Sequence, residues 1–193
     1  MSTHAPRAML LKPGSILRNE EGEILDARSS VVLIVSGSAK LVVDTGLAGE
    51  EMVILESLAI RGLDPVEVDL VVNTHSHPDH CGNNHLFSRA EILSPENTED
   101  GATIAPGVWI LETPGHTLQS ISIVCESDKV VVMAGDALPT RPNYLKWIPP
   151  RLHVDGELAM KSMAMIVDLA DVVVPGHDKP FSVRDGGYSS YLD

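Results

Sequence analysis

The sequence predicts an α/β or α+β fold. Short β-branched runs and segments of helical period both recur along it, and its richest polar motif follows directly on one of those runs. Hydrophobic residues make up 44% of the 193 residues, which suffices to bury a core, and the length suits one domain spanning 1–193. No repeat of fixed period and no Pro-, Gly- or Ser-rich linker divides it.

The elements follow in order. Val31-Val32-Leu33-Ile34-Val35 and Lys40-Leu41-Val42-Val43, separated by Ser36-Gly37-Ser38-Ala39, predict an antiparallel hairpin that ends at Asp44-Thr45-Gly46. From Glu50 to Arg61, apolar Val53, Ile54, Leu58 and Ile60 fall near helical spacing, and Gly62 is a fitting stop. Val68 to Thr74 is a short apolar run typical of a buried strand. Further strands are expected at Ala90 to Leu93, Val108 to Glu112, Ser120 to Cys125 and Lys129 to Ala134. A helix from Asp155 to Leu169, with Leu158, Met165, Ile166 and Leu169 on one face, precedes a last strand at Asp171 to Val174.

Composition narrows the function. A formal net charge of -13 repels polyanions at long range, which counts against a surface that coats nucleic acid. No apolar run approaches the roughly 20 residues of a membrane span, and Met1 to Arg7 lacks the basic-then-apolar order of a signal peptide, so a cytoplasmic protein with no membrane partner is expected. Cys81 and Cys125 form no C-x-x-C pair and are read as reduced thiols. Cys81, beside His80, is a small packing residue that is also placed for oxidation or metal capture.

The chemistry concentrates at His75-Ser76-His77-Pro78-Asp79-His80, immediately after a strand. In a turn, residues two apart can converge on one metal while the Asp and His that follow face a second. His116 in Pro114-Gly115-His116, Asp136 in Ala134-Gly135-Asp136 and His177 in Pro175-Gly176-His177 each stand at a strand-to-loop transition, next to a glycine that allows a sharp turn. A lone histidine is ordinarily satisfied by a local hydrogen bond, but packing this many polar groups at strand ends costs free energy that metal bonds would offset. His4, His85 and His153 match no ligand position, and His85 is expected on a helix after the motif.

This order of motifs, from Asp44 through His75–His80 to His116, Asp136 and His177, resembles the metallo-β-lactamase superfamily over residues 30–185. The resemblance implies a four-layer αββα sandwich, two mixed sheets flanked by helices, with the metal site at one edge between them. It implies two divalent metal ions, zinc first and iron or manganese as alternatives: His75, His77 and His116 hold one, Asp79, His80 and His177 the other, and Asp136 bridges both. Asp44 is expected to hydrogen-bond the motif loop without ligating. The expected nucleophile is a hydroxide between the ions, since zinc brings the pKa of a bound water from near 16 to about 7, and Asp79 is expected to orient it.

Within the superfamily, a bridging Asp136 resembles hydrolases of thioesters, lactones and phosphodiesters more than those of β-lactams. The stretches Trp109 to Gly115 and Ala170 to Phe181 look most like the metallo-β-lactamase domain-containing protein 1 group, which is linked to ribonuclease activity, so phosphodiester hydrolysis of an RNA or small-molecule substrate is favoured. Glyoxalase II-like hydrolysis of a thioester or lactone is the runner-up, and a non-catalytic metal-binding protein the third reading. Pro139 to Arg151 reads as a loop overhanging the site, from which Arg141, Tyr144 and Lys146, together with Lys179, are candidate contacts to an anionic substrate. Trp147 and Ile148 between prolines suggest a homodimer surface.

Overall fold

The computed structural model describes residues 5–193, so His4 lies outside the described residues. Along the chain run β1 (Arg7–Lys12), β2 (Ser15–Arg18), β3 (Ile24–Arg28), β4 (Val31–Ser36), β5 (Ala39–Val43), α1 (Glu51–Ile60), β6 (Leu70–Val72), α2 (Pro78–Cys81) and β7 (Glu91–Leu93). Then come β8 (Thr103–Ala105), β9 (Val108–Glu112), β10 (Ile121–Glu126), β11 (Val130–Gly135), α3 (Arg141–Lys146), α4 (Gly156–Leu169), β12 (Val172–Pro175) and β13 (Phe181–Ser182). One sheet has the order β1-β4-β5-β6-β7, a second β13-β12-β11-β10-β9-β8, and β2 with β3 forms a separate ribbon. Both large sheets are mixed: β5-β6-β7 and β11-β12 run parallel, their other pairings antiparallel.

The period of two along each strand builds the layers. In β4, Val32 and Ile34 point between the sheets while Val31 and Leu33 point outward to Ile54 and Leu58 of α1. In β11, Val131 and Met133 point inward while Val132 and Ala134 meet Met163 and Ile166 of α4. The strands read as continuous apolar runs because both faces are covered, and the result is helix, sheet, sheet, helix.

Several expectations need correction. α3 lies in the stretch read as a loop, and β1, the N-terminal ribbon, β8 and β13 lie where no element was assigned. The ribbon has little burial to mark its period, since Leu17 and Leu25 are solvent-exposed. In α3 the proline that suggested a loop, Pro142, sits in the first helical turn, where its missing N–H costs nothing. Val53 and Ile60 of α1 and Met165 of α4 are exposed, so the buried faces are narrower than the sequence spacing implies. His85 lies on a short 3-10 turn, Asn84–Leu86, and not on a helix continuing from the motif. Among the described residues no helix is long and apolar enough to cross a membrane.

Ile123, fully buried between the sheets, tests the layer assignment. Ile123→Ala is expected to lower unfolding free energy by about 2–5 kcal/mol in chemical denaturation. A loss below about 0.5 kcal/mol, the range of surface substitutions, would contradict a packed inter-sheet core there.

Candidate metal centre

Five segments deliver the polar cluster, each where a strand gives way to a loop. Asp44 follows β5 in a left-handed conformation, φ 54°, which Asp tolerates better than most residues. Its Oδ1 accepts from the backbone N–H of Thr74 at 2.8 Å, and its Oδ2 accepts from the Thr74 hydroxyl at 2.9 Å and from His80 Nδ1 at 2.8 Å. The end of β6 and the motif helix are thereby tied to the end of β5. His77 caps α2, Pro78 opens it, and Asp79 and His80 project from its single turn.

His116 comes from the turn after β9, where Gly115, at φ 135°, packs so closely on the backbone of Ala159 that a Cβ would collide with it. Asp136 follows β11 and His177 follows β12, and a Cβ on Gly176 would strike Asp136 Oδ1.

Three of the ring nitrogens that face away from the cluster find acceptors. His80 Nδ1 bonds Asp44, His116 Nδ1 lies 2.7 Å from the Leu152 carbonyl, and His177 Nδ1 lies 3.0 Å from the Arg28 carbonyl. A carbonyl or carboxylate oxygen only accepts, so each Nδ1 carries its proton and each ring turns its Nε2 inward to the cluster. His75 Nε2 and His116 Nε2 approach His77 Nδ1 at 3.0 and 3.1 Å.

Three groups of donors form, each with its atoms within 4.8 Å of one another: His75, His77 and His116; His75, His80 and Asp136; and Asp79, His80 and His177. Asp136 joins them. Its Oδ2 is 3.4 Å from His116 Nε2, while its Oδ1 is 3.0 Å from His177 Nε2 and 3.4 Å from His80 Nε2. Asp79 Oδ2 stands 3.5 Å from His177 Nε2.

Burial pushes the His75 imidazolium down to about 2, so this ring is neutral, as a ligand must be. Burial opposes the charge on Asp136 as well, but His177 and His80 outweigh it and hold the carboxylate well below its usual range. His80 Nε2 and Asp136 Oδ1 are buried without a hydrogen-bond partner, although such orphans are costly. Lone pairs and carboxylates converging on one point, two of them unsatisfied, fit divalent cations. Nitrogen and oxygen donors without thiolate suit zinc, manganese or iron.

A cavity of about 230 Å³ opens over this cluster. His77, Asp79, His116, Asp136 and His177 form its floor, and Ile16, Arg18, Ile24, Ala27, Pro139, Pro150, Arg151 and Leu152 its walls. The sequence-predicted ligands are thus brought together, but the candidate substrate contacts divide. Lys146 and Lys179 line an adjoining groove of about 580 Å³ that shares Ile16, Arg18 and His177 with the cavity. Arg141 and Tyr144 turn away from both: the Arg141 guanidinium lies 4.7 Å above the Tyr188 ring and donates to the Gly186 carbonyl, and the Tyr144 hydroxyl donates to the Val183 carbonyl at 2.8 Å. Arg18 and Arg151 carried no motif signal, because only the folded ribbon brings residue 18 over His77.

Residues 26–96 match the model of the metallo-beta-lactamase superfamily. A probable metallo-hydrolase of Methanocaldococcus jannaschii is 41% identical over 177 residues, covering 88% of this chain and 85% of that protein. Metallo-beta-lactamase domain-containing protein 1 of Xenopus laevis is 36% identical over 183 residues, covering 86% of this chain and 77% of that protein.

The chain belongs to the metallo-β-lactamase superfamily.

As a member of that superfamily it is a metal-dependent hydrolase. Solved structures share the superfamily fold. A probable metal-dependent hydrolase from Staphylococcus aureus aligns with TM-score 0.74 at 18% identity, covering 97% of this chain and 96% of that one. An N-acyl homoserine lactone hydrolase with product bound at its catalytic metal centre aligns with TM-score 0.70 at 20% identity, covering 92% and 94%. The superfamily model's match stops before His116, Asp136 and His177, and the geometry is what adds these three to the motif of His75–His80.

Two substitutions test the centre. Asp44→Ala removes the acceptor that orients His80 and is expected to weaken metal binding about 10–100-fold in a chelator-competition titration, with the far-ultraviolet spectrum retained. Gly176→Ala, by displacing Asp136, is expected to lower the metal retained after dialysis, measured by elemental analysis. Wild-type metal content in both variants would separate these residues from metal binding.

Proposed function

We propose that this chain hydrolyses phosphodiesters at a centre of two divalent ions, with zinc the first choice. The observation that carries this reading is the position of Asp136, whose carboxylate lies within 3.4 Å of His116 and also of His80 and His177, beneath a cavity that continues into a groove lined by Lys146 and Lys179. His75, His77 and His116 would hold one ion, Asp79, His80 and His177 the other, and Asp136 would join them. Bound there, the ions would supply Lewis acidity toward the phosphoryl oxygen and lower the pKa of water.

The chain's own residues supply position and proton control. The Nδ1 bonds to Asp44, Leu152 and Arg28 lock three imidazoles in orientation, so the centre is set before substrate arrives. Asp79, partly exposed on the cavity floor, would hold the attacking water and take its proton. The water oxygen bonds to phosphorus, the P–O bond to one ester arm breaks, and the departing oxygen takes the proton back as an alcohol. Ile16, Ile24 and Leu152 give the cavity an apolar wall that limits water around the scissile bond.

That wall also favours a second reading, hydrolysis of a lactone or thioester. An N-acyl homoserine lactonase of a Bacillus species is 25% identical over 210 residues, covering 81% of this chain and 84% of that one. Initial rates of the zinc- or manganese-loaded protein on an activated phosphodiester, a glutathione thioester and an N-acyl lactone, each with a chelator control, distinguish the readings. Chelator-sensitive turnover of the phosphodiester alone is expected, and turnover confined to the thioester or lactone would replace the first reading with the second.

Asp79→Ala is expected to lower kcat by about 100-fold or more while the protein stays folded and retains at least one metal ion. Unchanged turnover in that variant would remove Asp79 from the reaction.

A further inference from the structure

We propose that Arg18 and Arg151 form an anion-binding subsite that selects substrates carrying a second negative group, carboxylate or phosphate, on the arm that projects from the metal centre. The proposal deepens the hydrolase reading above and rests on it. Arg18 stands on the ribbon strand β2 and Arg151 on the loop between α3 and α4, and both line the cavity wall. Their guanidinium groups meet at one atom: Arg18 Nη1 donates to the Gly22 carbonyl at 3.1 Å, and Arg151 Nη1 donates to the same oxygen.

Two like charges sharing one neutral acceptor repel each other, and the carboxylates of Glu21 and Glu23 on either side of Gly22 form no ion pair with them. Among the described residues neither arginine takes part in an ion pair, although the chain carries 27 acidic side chains against 14 basic ones. Elsewhere the chain does neutralise its cations, as where Arg28 is held by Asp26 and Glu50. Each guanidinium has five N–H donors and spends one on Gly22, so most of the fork is free for a planar anion.

Position decides which anion. Both side chains line the cavity that has His77, Asp79, His116, Asp136 and His177 as its floor, so an anion held between them belongs to the molecule whose scissile bond lies on that floor. Arg18 also lines the adjoining groove, where it, Lys146 and Lys179 outnumber Asp178, so a longer arm meets a net positive lining. The ribbon tip carries Glu20, Glu21 and Glu23, so an extended polyanion crossing the tip would meet like charge. The subsite therefore fits one additional anionic group close to the scissile bond.

The test uses the metal-loaded full chain, with Arg18→Gln and Arg151→Gln. Two matched pairs of p-nitrophenyl substrates, one of phosphodiesters and one of carboxylic esters, differ within each pair only in whether the second arm ends in a neutral or an anionic group. For whichever bond is cleaved, the wild type is expected to prefer the anionic arm in kcat/KM. Each substitution should erase about tenfold or more of that preference through KM, leaving the neutral-arm substrate within about twofold, since it removes a charge-assisted hydrogen bond that only the anionic arm makes. Glutarate, a dicarboxylate that can place one anion at the centre and one at the arginines, gives a readout free of turnover: calorimetric affinity should fall about tenfold in each variant. Glutarate affinity that is absent in the wild type, or equal in all three proteins, overturns the subsite whatever bond is cleaved. Cleavage of carboxylic esters only, with the arm preference lost in the variants, overturns the phosphodiester reading and keeps the subsite.

Discussion

The carboxylate of Asp44 is the constraint on which the rest of the centre depends. It accepts three hydrogen bonds, two from Thr74 and one from His80, and so fixes the end of β6 and the orientation of α2 together. The Thr74 hydroxyl in turn lies 3.2 Å from His75 Nδ1, which extends the same control to the first histidine of the motif. Holding a non-glycine residue in the left-handed region costs on the order of 1 kcal/mol, and three buried hydrogen bonds to an anion more than offset it. A four-residue helix such as α2 has no stability of its own, so its geometry comes from this anchor and not from helix propensity.

The two sheets are held in register at the same edge by a second set of contacts. Ser30 donates its N–H to Gly176 and its hydroxyl to Pro175, both at 2.8 Å, while the Arg28 carbonyl accepts from His177. Behind this rail lies the buried Lys12, whose Nζ sits 3.1 Å from Glu50 and 2.6 Å from the Ser29 carbonyl. A buried lysine is tolerated only when paired, and here the pair pins residue 29 between the residues that hold His177 and Gly176. His75, His77 and His80 follow a strand of the first sheet, whereas His116, Asp136 and His177 follow strands of the second. Ions bound by both sets would require the sheets to be docked, so metal binding and inter-sheet packing would reinforce each other.

The centre was legible in the sequence because its residues are close together in the chain or flanked by glycine at a strand end. His75 to His80 is a single turn, and the glycine before each of His116, Asp136 and His177 is a local signal that survives without a structure. The buried strands were legible for a related reason: a strand covered on both faces has to be apolar throughout. What escaped were features made only by tertiary contact. Leu17 and Leu25 leave the ribbon without a buried stripe, so its period carries no signal. Arg18 reaches the cavity across a chain separation that no motif records. Arg141 and Tyr144 have the chemistry of substrate contacts, yet Tyr188, Gly186 and Val183 engage them first.

Net charge misleads about the site for a reason of range. At physiological ionic strength the Debye length is about 8 Å, so acidic side chains beyond that distance contribute little potential at the cavity mouth. Within it, the guanidinium groups of Arg18 and Arg151, together with any divalent ions that the floor residues hold, would set a cationic potential against the nearby carboxylates. A protein of net charge -13 can therefore bind an anion that fits inside the cavity while repelling one that extends over its surface. The same electrostatics that count against a long nucleic acid strand leave a short anionic ester undisturbed. Substrate length, and not charge sign alone, is then the variable that the acidic surface controls.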